Sequence, residues 1–417
     1  MVDVSTRPHH PSSSVRSFGG DIDLVGRMAA AYIRGYQENG MLATAKHFPG
    51  RGDVDNIPGT RFAANNKPAE QVEAEDFRAF KAAIDAGVTY IMTEHIAVPS
   101  VTDGSDLPAS VSKALVTDWL KGKLGFEGVV TSDDLWYQHV IDRFGPVKVC
   151  VMAVQAGHDA VLKPADPVAA IDGLVEAVKA GDIAEDQIDA SVKKILYWKA
   201  RLNLHKNRFV DVEKIPEVVA CEEHTALLNE VADSSLTLLV NKNFFPAGEA
   251  KFGKIAHISV QKNPKDANVA VIASKLADAF PNVEHFAVGA EGAAADLHEK
   301  ALEAAKAADL VVVSLLCQRG GPGDAAPIAE EQLELLKNVI EAKPDATVVM
   351  SYGNPHFVTK LKDAAAFVVG YGEAGWYGNQ TIYADAFVRL LKGQITPKGK
   401  LPVKVSDEVP IGSGITY

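Results

Sequence analysis

Short apolar runs alternate with amphipathic helical patterns through the first half of the chain, and this alternation leaves few folds open. Runs suited to strands fall at residues 43–48, 90–96, 128–132 and 159–162, with a remnant at 2–4. Between them, residues 69–86 bring Val72, Phe77, Phe80, Ala83 and Ile84 near one helical face, and Gly87 stands where a C-cap is expected. Residues 115–124 and 168–180 repeat the pattern. Strand–helix alternation with short loops predicts a parallel sheet with helical crossovers. A closed barrel and an open doubly wound sheet both satisfy it.

At 417 residues the chain exceeds what one hydrophobic core usually holds. Periodicity lapses near 203–223, where charges and Pro216 intervene. The expected division is therefore a first domain at 1–205, a linker at 206–225 and a second domain at 226–417. A second alternating series follows the lapse, with strands expected at 236–240, 254–260, 269–272, 310–316, 346–351 and 366–370. A helix over 330–341 carries Leu333, Leu336, Val339 and Ile340 on its apolar side. This predicts a second α/β domain built as a layered sandwich.

Composition excludes several classes. Hydrophobic residues make up 47% and charged residues 23%, which is ordinary for a globular enzyme and unlike a disordered or coiled-coil chain. No apolar run reaches the roughly 20 residues of a membrane-spanning helix, and no signal peptide is visible at the N-terminus. Asp and Glu number 54 against 42 Lys and Arg, a net charge of -12, so nucleic acid is not an expected partner. The three cysteines, Cys150, Cys221 and Cys317, form neither a disulfide framework nor a C-x-x-C metal or redox motif.

Polar residues gather where the first-half strands end, the edge at which parallel α/β folds bind ligands. Lys46-His47-Phe48-Pro49-Gly50-Arg51-Gly52-Asp53 carries a strand into a Gly/Pro turn with two cations, an imidazole and a carboxylate. The alternative to a binding role is a solvated turn. Thr131-Ser132-Asp133-Asp134 follows a buried run, where carboxylates are costly unless bound, paired or catalytic. Asp134 suits the N-cap of the next helix, which leaves Asp133 to face the pocket. Glu94-His95 and His158-Asp159 are similar pairs, in which a lone His is more often structural.

Val15-Arg16-Ser17-Phe18-Gly19, Lys46-His47-Phe48-Pro49-Gly50 and Ser132-Asp133-Asp134-Leu135 resemble, in order and spacing, motifs of glycoside hydrolase family 3. Within it the chain looks most like the β-N-acetylglucosaminidase (β-N-acetylhexosaminidase) branch. Ser351-Tyr352-Gly353-Asn354-Pro355, Arg319-Gly320-Gly321-Pro322-Gly323-Asp324 and the tail from Gly399 to Tyr417 are similar to the family's second domain. The resemblance implies a (β/α)8-type, TIM-like barrel followed by an α/β sandwich. It implies hydrolysis with retention through a covalent glycosyl-enzyme, with Asp133 as nucleophile and Arg16, Lys46 and His47 holding the terminal sugar. A carboxylate nucleophile must be ionised, which neighbouring cations favour, and the three basic residues are expected to donate hydrogen bonds to sugar hydroxyls. His95 and Asp159 match as pocket-wall or structural residues. No metal or organic cofactor is implied.

Two departures from the family pattern matter. The branch usually carries an Asp-x-His pair after the Lys-His-Phe-Pro-Gly strand, whose His is the general acid/base. Here the loop Arg51-Gly52-Asp53-Val54-Asp55-Asn56-Ile57-Pro58-Gly59 has no His. Asp53 and Asp55 become acid/base candidates, with Asp324 or Glu373 as alternatives from the second domain. Arg51-Gly52-Asp53 spells an adhesion tripeptide but is read as part of the sugar-site loop. Secondly, the family pattern begins upstream of Val2-Asp3-Val4. About five strands precede the linker where a closed barrel needs about eight, so the barrel is expected to be incomplete at its N-terminus and its open edge covered by a homo-oligomer or another chain. The expected function is removal of terminal β-linked N-acetylglucosamine from a small or oligosaccharide β-glycoside. A catalytically impaired sugar-binding or scaffold relative, and a β-glucosidase or β-xylosidase, are the alternatives.

Overall fold

The computed structural model describes residues 1–417 except 7–15, 52–53, 55–60, 248–251, 262–266, 290–294, 317–327 and 372–380. The chain divides into two compact units, Met1–Val210 and Asp211–Tyr417. We propose 206–225 as the linker, and residues 203–220 are exposed throughout. No described helix is long and apolar enough to cross a membrane.

In the first unit the strands are β1 (Thr44–Phe48), β2 (Ala63–Ala64), β3 (Tyr90–Thr93), β4 (Ile96–Ala97), β5 (Val129–Asp134) and β6 (Ala160–Leu162). A four-stranded, all-parallel sheet runs in the order β1-β3-β5-β6, and β2 pairs with β4 separately. Residues 1–5 lie beside β1, where the Val2 amide donates to the Lys46 carbonyl at 2.8 Å and Val2 and Val4 are buried. This is a TIM-like α/β layer, and among the described residues no strand closes it into a ring.

The helices pack where their apolar spacing dictates. Val25, Ala29 and Ile33 of helix Ile22–Glu38 recur every four residues and bury against the β1 side of the sheet together with Phe77, Phe80, Leu115 and Trp119. Phe48, fully buried at the end of β1, stacks on Phe77 with centroids 5.4 Å apart and meets Phe80 edge-on at 5.3 Å. These rings hold the strand end that carries Lys46 and His47. Gly50 turns the chain just beyond, at φ 117°, and an added Cβ would lie 2.7 Å from the Asp76 carboxylate, so glycine alone fits.

The second unit has a six-stranded sheet. Its strands β7 (Thr237–Asn241), β8 (Ile255–Gln261), β9 (Val283–Gly289), β10 (Leu310–Leu315), β11 (Thr347–Tyr352) and β12 (Ala366–Gly370) run in the order β7-β12-β11-β10-β8-β9. All are parallel except β7, which runs antiparallel to β12. Separate apolar clusters cover the two faces, which makes the unit an α/β sandwich. The strand expected at 269–272 is instead part of helix Ala267–Ala279. Val269, Ile272 and Leu276 bury at helical spacing, and a short apolar run read alone does not separate the two periods. The strand beside β8 is β9, whose mixed sequence Val283-Glu284-His285-Phe286 hid it.

Candidate active site

β5 does not stop before its carboxylates: Asp133 and Asp134 are its last two residues. Asp134 caps no helix. The next helix, Gln138–Phe144, starts from Tyr137 without a side-chain cap, and the Asp134 carboxylate instead pairs with Lys163 at 2.9 Å. Asp133 is nearly buried; its Oδ1 accepts the Asp134 amide at 2.8 Å and its Oδ2 accepts from the Arg51 guanidinium at 3.0 Å. Arg51, itself buried, also bonds Glu94 at the end of β3. Guanidinium bridging of two carboxylates is the arrangement for which its fork geometry is suited.

Asp3 organises the β1 side. Its Oδ1 accepts the His47 and Arg51 amides at 3.1 and 2.9 Å, and its Oδ2 accepts His47 Nδ1–H at 2.9 Å. Burial pushes the Asp3 carboxyl up, but the His47 and Arg51 contacts together outweigh that and hold it well below the usual carboxylate range. His47 goes the other way. Burial, then the Arg51 charge, lower it to about 3, so the ring is neutral at ordinary pH. With Nδ1–H committed to Asp3, Nε2 carries a lone pair 3.9 Å from Asp133 Oδ2. The ring therefore offers an acceptor where a donor was expected. A sugar hydroxyl can donate to it.

Lys46 is half-buried, and burial, then the nearby Arg16 charge, lower its pKa, while Asp133 raises it. Arg16, Lys46, His47 and Asp133 are thus brought to one place. The β1–β3 register shifts between Lys46 and Phe48, and the Lys46–His47 and Phe48–Pro49 peptide bonds are cis. Tyr137 joins the cluster from the β5 side: burial, then the charges of Asp133, Asp134 and Glu94, raise its phenol to about 12, so it stays protonated as a donor.

His95 is buried, donating from Nε2 to the Asp134 carbonyl at 3.0 Å and accepting from Ser110 at 2.9 Å. Asp159 is a buttress, accepting the Val130 amide at 2.9 Å and the Ser191 hydroxyl at 2.8 Å. His158 bonds Thr93 and the Ala153 carbonyl, and burial lowers its pKa to about 4. The acid/base candidates Asp53, Asp55, Asp324 and Glu373 lie outside the described residues. His47, Glu94 and Asp133 bring ligand-type atoms within 4.8 Å of one another, a spacing a metal could use, but the Arg51 guanidinium already supplies the cation there.

Asp3 and Tyr137 are not among the residues singled out from the sequence for the site, and Arg51 and Glu94 stand in its strand-end clusters without a role of their own. Asp3 had a signal, as a carboxylate between two valines in an apolar remnant. Arg51 had one too, directly after the Lys-His-Phe-Pro-Gly turn.

Residues 1–197 match the glycosyl hydrolase family 3 N terminal domain and residues 236–410 its C-terminal domain. The chain belongs to glycosyl hydrolase family 3. Among family 3 relatives, a β-N-acetylglucosaminidase/β-glucosidase of Cellulomonas fimi is 30% identical over 247 residues, covering 57% of this chain and 44% of that protein. The β-hexosaminidase LpqI of Mycobacterium tuberculosis is 34% identical over 208 residues, covering 48% and 52%. The structure of a family 3 β-N-acetylglucosaminidase from Paenibacillus sp. str. FPU-7 superposes with a TM-score of 0.83 at 27% identity, covering 98% of this chain and 76% of that one. The matches to these two curated family 3 relatives span about half of their length.

Proposed function

We propose that this protein is a retaining glycoside hydrolase that removes terminal β-linked N-acetylglucosamine through a covalent glycosyl–Asp133 intermediate. The observation that carries the reading is the setting of Asp133, a carboxylate at a parallel strand's C-terminal end, oriented by an amide and a guanidinium beside His47. An Asp133 oxygen attacks the anomeric carbon as the bond to the leaving oxygen breaks, and that oxygen takes a proton from the general acid. Water, deprotonated by the same group, then releases the sugar from Asp133. Asp53 and Asp55 are the candidates for the proton carrier. Arg16 and Lys46 donate to the terminal sugar, and His47 accepts from it.

Asp133→Asn tests the reading. Turnover of a 4-nitrophenyl β-N-acetylglucosaminide should fall by about 10³ or more while the fold persists, and a 2-fluoro glycoside should label the peptide holding Asp133. Label elsewhere, or near-normal turnover, removes Asp133 from this role. β-Glucosidase activity is the second reading, supported by the double name of the Cellulomonas fimi relative. The 4-nitrophenyl β-glucoside, assayed beside the N-acetylglucosaminide, separates the two. Turnover of neither, with sugar binding retained, favours a binding protein.

A further inference from the structure

Directly after β5 the chain presents an unusual pair of rings. Leu135 is fully buried, Trp136 is 55% exposed, and Tyr137 is half-buried. An exposed indole is normally free to turn, but this one is anchored. Its Nε1–H donates to Asp134 Oδ2 at 3.3 Å, and that same carboxylate is held by Lys163 from the end of β6. Lys163 Nζ lies 5.8 Å from the indole centroid, and Tyr137 packs nearly parallel to the indole, with planes 30° apart and centroids 6.4 Å apart. Tyr137 in turn feels the charges of Asp133 and Glu94. The indole is therefore a fixed, flat, solvent-facing surface one ring away from the carboxylate cluster.

Its position in the sheet gives it a direction. The groups proposed to hold the terminal sugar come from β1 and the segment at Arg16. Trp136 and Lys163 follow β5 and β6, on the opposite side of the order β1-β3-β5-β6. A pyranose ring has an apolar C–H face and a hydroxyl rim. The face packs on an aromatic surface, and the rim reaches polar groups set around it, here Lys163. We propose that Trp136, braced by Asp134 and Lys163, is the platform for the sugar ring of the leaving group. The substrates favoured are then β-linked oligosaccharides, with a second ring beyond the bond that breaks. This rests on the reading of Asp133 as the nucleophile.

Two substrates sharing a glycosyl group test it: N,N′-diacetylchitobiose, whose leaving group is a sugar, and N-acetylglucosaminyl fluoride, whose leaving group is one atom. In Trp136→Ala, kcat/KM for the disaccharide should fall about tenfold more than for the fluoride. Trp136→Phe, which keeps a flat ring, should recover most of that difference. Equal losses on the two substrates, or no loss on the disaccharide, overturn the proposal. If the unaltered protein cleaves neither substrate, the nucleophile reading has failed, and titration with chitotriose still decides the platform. A saturable change in tryptophan fluorescence that disappears in Trp136→Phe upholds it, and no change in either protein overturns it.

Discussion

Replacing Arg51 with methionine removes one buried cation and leaves the carboxylates it serves in place. The side chain is 2% exposed and bonds Glu94, which has no exposed surface, and Asp133. The backbone bond from residue 51 to Asp3 survives the change. Methionine fills much of the volume, so the loss is one of charge rather than packing. Removing one partner of a buried pair costs about 3–5 kcal/mol, because the remaining charge stays desolvated and unpaired. For a unit of this size that corresponds to a fall in Tm of roughly 10 °C. Calorimetry at pH 7.5 and 5.5 reads it. The deficit should shrink at the lower pH, since a protonated carboxyl needs no counter-ion. Arg51→Lys keeps the charge but not the fork, and should lose roughly half as much. If Arg51→Met unfolds within 2 °C of the parent at both pH values, on the order of 0.5 kcal/mol, the guanidinium is not what neutralises this cluster.

Further outcomes are expected from the same contacts. His47 and His158 are buried neutral, with folded pKa values of about 3 and about 4. Their contribution is complete above the unfolded value near 6.5 and is lost as pH falls below it, about 2 kcal/mol each by pH 5. Urea unfolding at pH 7 and 5 should show that loss, and His158→Gln should lessen it. Lys46→Met and His47→Gln should each lower kcat/KM by about 1–3 kcal/mol of transition-state binding, with both limbs of the pH–rate profile kept; loss of a limb in His47→Gln would make it a proton carrier. Gly50→Ala should destabilise by about 2 kcal/mol or more, from the positive φ and the Asp76 contact, read as a lower Tm.

The strand ends were legible because a polar residue closing an apolar run stands out locally. Lys46, His47 and Asp133 stood out in that way. What binds them together was not, since Asp3 reaches His47 and Arg51 across 44 and 48 residues and Arg51 reaches Asp133 across 82. No local pattern encodes such pairing. The sense of His47, acceptor rather than donor, depends on burial and on Asp3. Asp134 looked like a cap because caps and strand ends both favour a short carboxylate, and only the position of Lys163 distinguishes them.

The salt-bridged floor of this site bears on what should block it. Iminosugar inhibitors carry a positive nitrogen and gain affinity where carboxylates stand without partners. Here, among the described residues, three carboxylates, Asp3, Glu94 and Asp133, face three resident cations, Arg16, Lys46 and Arg51. An arriving ammonium meets a guanidinium already bonded to Asp133. Uncharged mimics of the flattened sugar ring, such as lactones and oximes, bring no cation for Arg51 to repel. They should outcompete amines of the same shape by a margin that narrows as salt is added.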